Sequence, residues 1–180
     1  MSSGKVSQRW YSRRQLFSKR LSEAERSWLF DVSSLTARLI RYCSGDFKVE
    51  LLSQEIRRPT VDEAEALNMA SNRFALIRQV NLCCKNKAVV YARTVIPLST
   101  LSGAERSYGN LGSRPLGAML FADRSMQREE VTVTQLQVDD ALYEKTNVQG
   151  DPVWGRRSIF KVGGKPLLVS EYYLPTLFDR

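Results

Sequence analysis

The sequence predicts an α+β fold, a single six-stranded antiparallel sheet with helices packed on one face. Three observations predict it. Apolar–polar alternation recurs in about six runs of strand length. Most neighbouring runs are joined by short polar turns, as antiparallel hairpins are. Helical-period segments are inserted between the hairpins.

The elements follow in chain order. Residues 1–8 read as a frayed start, and residues 1–20 as a basic, flexible extension. From Ser12 to Cys43 the pattern is helical. Ser22 followed by Glu25 forms a capping-box signature, and Trp28, Leu29, Val32, Leu35 and Leu39 recur at helical spacing. Ser33 or Ser34 is placed to cap a second short helix. Phe47–Leu52 alternates as a strand, Arg57–Thr60 is a turn and Val61–Met69 a short helix. Two long strand-like runs, Arg73–Cys84 and Ala88–Ile96, flank the turn at Lys85-Asn86-Lys87. Pro97 ends the second, because proline cannot donate to a ladder. Leu101–Phe121 reads as helix, broken near Gly109–Gly112 and restarted after Pro115. Glu129–Leu136 alternates again, and Asp139–Asp151 is a polar loop. Val153–Val162 and Lys165–Leu174 form a last hairpin around Gly163-Gly164.

Composition narrows the function. At 180 residues, 43% hydrophobic and 26% charged, the chain is ordinary for one globular domain and too apolar for a disordered one. Its net charge of +8 suggests an anionic partner. That charge is uneven, with seven cations against two carboxylates in residues 1–26. No apolar run is long enough to span a bilayer. The basic start has no apolar core, so it is not a secretory signal, and Glu23 and Glu25 argue against a transit peptide. Cys43, Cys83 and Cys84, odd in number with two adjacent, make a poor disulfide framework, which favours the cytoplasm. The absence of histidine removes the commonest general base and metal ligand together, and three cysteines without the usual paired spacing argue against zinc.

Charges within apolar faces mark candidate site residues. Alternate residues of a strand share a face. Phe74, Leu76, Arg78, Val80 and Leu82 form one such row, Leu167, Val169, Glu171 and Tyr173 another, and Val89, Tyr91, Arg93 and Val95 a third. Arg156 shares a face with Trp154 and Phe160. Burying an unpaired charge costs several kcal/mol. Each of these residues therefore needs a partner or a solvated face. A structural ion pair, Arg78 with Glu171 for example, answers that need. So does a dry pocket in which Arg78 holds an anion and Glu171 accepts a hydrogen bond or a proton. At Pro115-Leu116-Gly117, free amides at a helix start are placed to meet a carboxylate, or the stretch is a plain loop.

Four blocks then become specific. Arg93-Thr94-Val95-Ile96-Pro97-Leu98-Ser99-Thr100-Leu101-Ser102-Gly103 resembles the R-T-V-x-P-x-S-T-L-S-G stretch of the bacterial chorismate lyases. Pro115-Leu116-Gly117 with Leu120-Phe121 resembles their next segment. Trp154-Gly155-Arg156-Arg157-Ser158, and Gly164-Lys165-Pro166-Leu167-Leu168 with Glu171 and Leu174-Pro175, resemble their closing hairpin. The blocks stand in the family's order, and the resemblance spans about residues 73–175.

The resemblance implies a lyase that converts chorismate to 4-hydroxybenzoate and pyruvate, the first committed step towards ubiquinone. It also implies a cofactor-free reaction in an internal site closed by helical flaps. It assigns Arg78 to the ring carboxylate and Glu171 to the ring hydroxyl. Leu35 and Leu116 contribute backbone groups of the flaps. Arg93 or Arg156 is left as a second cation for the side-chain carboxylate or the ether oxygen. The sequence departs from the family pattern at Ala92, where a glycine is expected, and at residues 137–153, which look longer. A single cytoplasmic domain acting as a monomer, without nucleic acid or membrane span, is the expectation. The rival reading is a non-catalytic small-molecule-sensing domain of the same fold, as in bacterial transcription regulators. Such domains normally follow a helix-turn-helix domain, and the roughly 45 residues before the first strand do not fit one.

Overall fold

The computed structural model describes residues 8–16 and 21–179. Among these residues eight strands form one antiparallel sheet: β1 (Tyr11–Ser12), β2 (Phe47–Arg57), β3 (Ala75–Cys84), β4 (Lys87–Pro97), β5 (Gln127–Arg128), β6 (Thr132–Leu136), β7 (Val153–Val162) and β8 (Lys165–Tyr173). Their order is β1-β6-β7-β8-β4-β3-β2, with β5 also paired to β7. Four α-helices, α1 (Glu23–Leu29), α2 (Leu35–Tyr42), α3 (Val61–Ala66) and α4 (Leu116–Ala122), are inserted between strands.

The count of six strands is corrected to eight for a local reason. The two added strands, β1 and β5, have two residues each, and β5 lies just before the expected Glu129–Leu136 strand, which is observed as β6. A two-residue strand shows no alternation and leaves no periodic trace. Ser12, expected at a helix start, instead pairs with Thr132. The stretch from Leu101 becomes a 3-10 segment, Gly103–Asn110, before α4. Residues 1–7 and 17–20, which include most of the expected flexible extension, lie outside the described residues.

Local chemistry sets the helix starts. Ser22 and Glu25 close a reciprocal capping box on α1, and Thr60 and Glu63 do the same on α3. Ser34 caps α2 through its hydroxyl to the Ala37 amide. The turn between β3 and β4 is tight because Lys85 and Asn86 both take left-handed backbone angles, φ 47° and 64°.

The placement of helices on one face is also corrected. β3 and β4 are buried along nearly their whole length on both faces, so both must be covered. α1, α2 and α4 cover the face that carries Arg78, Ala92, Glu171 and Arg156. On the opposite face the Leu67 and Met69 turn after α3 packs over Ile77, Val95 and Leu168. Beside it, Leu142, Tyr143 and Val148 pack on Tyr91 and Tyr172. The long 137–153 segment thus serves as a lid over apolar strand surface.

The reading of the cysteines is corrected as well. Cys43, the C-cap of α2, is disulfide-bonded to Cys84 at the end of β3, with Cα atoms 5.2 Å apart, and Cys83 is buried and free. Adjacent cysteines on a strand point to opposite faces, so only Cys84 meets α2. The bond ties the far end of the α2 flap to the strand that carries Arg78. No helix among the described residues is long and apolar enough to cross a membrane.

Candidate active site

Strand register builds the floor of the site. Arg78 on β3 pairs with Thr94 on β4, Thr94 with Val169 on β8, and Val169 with Ser158 on β7. One row along, Val80, Ala92, Glu171 and Arg156 are partners in the same strand order. Residues directly opposite in antiparallel strands share a face, so two parallel rows put Arg78, Glu171 and Arg156 on one side of the sheet. Leu35 and Thr36 at the start of α2, with Leu116 and Gly117 at the start of α4, close over these rows. The cavity they cover has a volume of about 50 Å³.

The two flaps touch. A Cβ built on Gly117 would stand 2.6 Å from Thr36 Oγ1, so α4 approaches α2 this closely only because residue 117 lacks a side chain.

The cavity is electrostatically unbalanced. Arg78 is 2% exposed and, among the described residues, has no carboxylate partner. Its Nη2 donates to the Gly112 carbonyl at 2.9 Å and the Arg114 carbonyl at 3.0 Å, while its buried Nε has no partner. Burial pushes its pKa down from the usual arginine value. A buried guanidinium with an unused donor is a receptor for an anion.

Glu171 accepts a hydrogen bond from Arg156 Nε at 2.6 Å. Arg156, 1% exposed, also donates through Nη1 to the Trp28 carbonyl at 3.2 Å and to the Asp31 carbonyl, just beyond α1. Burial disfavours the Arg156 charge, but Glu171 and the electron-rich groups around it outweigh that and raise its pKa above the ordinary value. Arg156 therefore stays charged, orients Glu171 and holds the first flap.

The sequence-selected residues separate into two groups. Leu35, Arg78, Leu116, Arg156 and Glu171 meet at this cavity. Arg78 and Glu171 do not pair with each other, since the partner of Glu171 is Arg156. Arg93 lies on the opposite face, where its Nε and Nη2 bind Glu63 at 2.6 and 3.0 Å in a buried pair. Arg93 is therefore removed from the second-cation role: its register partner is Gln79 rather than Arg78, and a strand turns adjacent side chains to opposite sides.

Sequence reasoning missed Arg128. It lines the cavity from β5, donates from Nε to Ser158 Oγ at 2.9 Å and from Nη1 to the Val32 carbonyl at 3.2 Å, and lies over the Phe160 ring. Burial and then the neighbouring Arg156 charge lower its pKa. A two-residue strand offers no apolar row in which a charge stands out, so no alternation flagged it.

A family model described as chorismate lyase matches residues 7–180. A probable chorismate pyruvate-lyase of Methylococcus capsulatus is 40% identical over 155 residues, which is 85% of this chain and 96% of that protein. Another, of Aromatoleum aromaticum, is 39% identical over 160 residues, 86% of each. Among solved structures, a GntR-family transcriptional regulator from Bacillus cereus matches 75% of this chain and 96% of its own, with TM-score 0.56 and 14% identity. At that identity the likeness concerns the fold alone. The family match runs through both flaps and all four strands that carry the cavity's floor, and the chain belongs to the chorismate lyase family.

Proposed function

We propose that this protein eliminates pyruvate from chorismate to give 4-hydroxybenzoate, the step that commits chorismate to ubiquinone synthesis, in the cytoplasm of a bacterium. The observation that carries the reading is the cavity's charge. Among the described residues that line it, three guanidinium groups, of Arg78, Arg128 and Arg156, stand against the one carboxylate of Glu171, which leaves two positive charges uncompensated. Chorismate is a dianion with two carboxylates, so its entry completes the balance.

In this reading Arg78 takes the ring carboxylate as a charge-assisted fork. The ring hydroxyl, para to that carboxylate, faces Glu171. The ether bond from the ring to the enolpyruvyl oxygen breaks, and its electron pair leaves on that oxygen. The ring carbon bearing the hydroxyl loses its proton, and the freed pair completes the aromatic ring. The departing enolpyruvate gains a proton at its methylene carbon and becomes pyruvate. Glu171 either ferries that proton or holds the hydroxyl while the proton passes within the substrate. The protein's main contribution is orientation and stabilisation of charge on the departing oxygen. First-turn amides at Leu35 and Leu116 offer further donors from the flaps.

The test is direct. Purified protein incubated with chorismate should release 4-hydroxybenzoate and pyruvate in equal amounts, each identified by mass, without added metal or cofactor. Binding of chorismate without either product would overturn the enzymatic reading in favour of a sensing domain.

A further inference from the structure

We infer that Arg128 is the receptor for the substrate's side-chain carboxylate and thereby makes the site select a dicarboxylate over a monocarboxylate. The inference rests on the proposed function and assigns a residue to the half of the substrate that Arg78 does not hold.

The geometry comes from the two floor rows. Arg78 begins the first row on β3, and Ser158, to which Arg128 is bonded, ends it on β7. Those strands are three ladder spacings apart, roughly 14 Å. Two arginine side chains leaning inward from such a span leave between them the room of a small ring with a substituent. Glu171 sits in the neighbouring row, between the two. In chorismate the ring carboxylate and the hydroxyl are para, and the ether stands on the carbon next to the hydroxyl. A ring held with its carboxylate at Arg78 and its hydroxyl at Glu171 turns its ether towards the β7 end, where Arg128 is.

Competition among the cations points the same way. Arg156 is neutralised by Glu171 and spends Nη1 on the Trp28 and Asp31 carbonyls. Arg93 is on the far face with Glu63. Among the described residues the hydrogen-bond partners of Arg128 are neutral, the Ser158 hydroxyl and the Val32 carbonyl, and no carboxylate is within ion-pair distance, Glu171 and Asp31 acting on it from further off. Among the described residues it is therefore the cavity cation, apart from Arg78, without a paired carboxylate. Because Val32 lies in the α1–α2 connection, a carboxylate arriving at Arg128 meets the same group that fastens the flap.

The experiment compares two ligands on two variants, with wild-type protein measured alongside. In Arg128→Gln the KM for chorismate should rise about tenfold or more, the loss of a charge-assisted bond. The Kd of 4-hydroxybenzoate, which lacks the side chain, should stay within about twofold. Arg128→Lys keeps the charge but not the fork. It should show a smaller rise in KM with the same unchanged product affinity, and it serves if the glutamine variant does not fold. An equal loss for both ligands, or no loss for either, overturns the assignment. The wild-type arm reports separately on the reaction: if the unaltered protein releases no pyruvate from chorismate, it is the proposed function that fails.

Discussion

Arg156 and Glu171 face each other across adjacent strands, with the guanidinium Nε 2.6 Å from the carboxylate and both side chains on the cavity floor. This pair fixes the carboxylate's direction before any ligand arrives. Glu171→Gln removes the negative charge but keeps a side chain of the same size. Turnover is expected to fall by about 10²-fold or more, the usual contribution of a positioned acid–base group, with product binding largely retained. Steady-state kinetics and product titration on the same preparation check this, and unchanged turnover would remove Glu171 from any proton role. Thermal stability should fall as well, because the variant leaves Arg156 buried without a counter-ion.

Arg78→Ala is expected to weaken both chorismate and 4-hydroxybenzoate. Hydrogen bonds to charged groups contribute about 1.5–3 kcal/mol, so each affinity should drop by roughly tenfold to a hundredfold. Calorimetric titration of the product measures it. Wild-type product affinity in this variant would refute the ring-carboxylate role.

Glu63→Gln tests the other face. Removing one partner of the buried Arg93–Glu63 pair should cost about 3–5 kcal/mol of stability. Glu63 lies across the sheet from the cavity, so kcat of the folded protein should stay within about twofold. Denaturant melts read the first quantity and initial rates below the melting transition the second. A large fall in kcat with unchanged stability would return Arg93 to the catalytic discussion.

Acid should loosen the first flap through Asp31. Burial alone would raise this carboxyl's pKa, but the Ser33 hydroxyl and amide and the Arg38 guanidinium outweigh it and hold the value below the ordinary 3.8. A depressed folded-state pKa stabilises the fold above the unfolded value, and that contribution is lost as pH falls through the folded one. Wild-type stability should therefore decline below about pH 4. Asp31→Asn should be less stable at neutral pH and show a shallower acid decline. Parallel thermal melts from neutral to strongly acidic pH check both, and identical slopes would exclude Asp31 as a contributor.

The long hairpins were legible in the sequence because each of their strands carries enough residues for alternation to register. Arg78, Glu171 and Arg156 were legible as charges embedded in apolar rows. Arg93 passed the same filter, because a strand buried on both faces hides charges on either side, and alternation does not tell which face holds the cavity. The partner that settles it, Glu63, comes from a helix with no sequence link to β4. Arg128 escaped because its strand has two residues. The Cys43–Cys84 bond escaped because pairing depends on where α2 ends in space, which the spacing of three cysteines does not encode.

β4 leaves a further signature. Ala92 and Thr94 line the cavity, while Tyr91, Arg93 and Val95 between and beside them brace the scaffold behind it. Random mutagenesis of this segment should therefore give a two-beat record. Changes on one beat would spoil chemistry in proteins that still express well, and changes on the other would deplete the protein while leaving each surviving molecule competent.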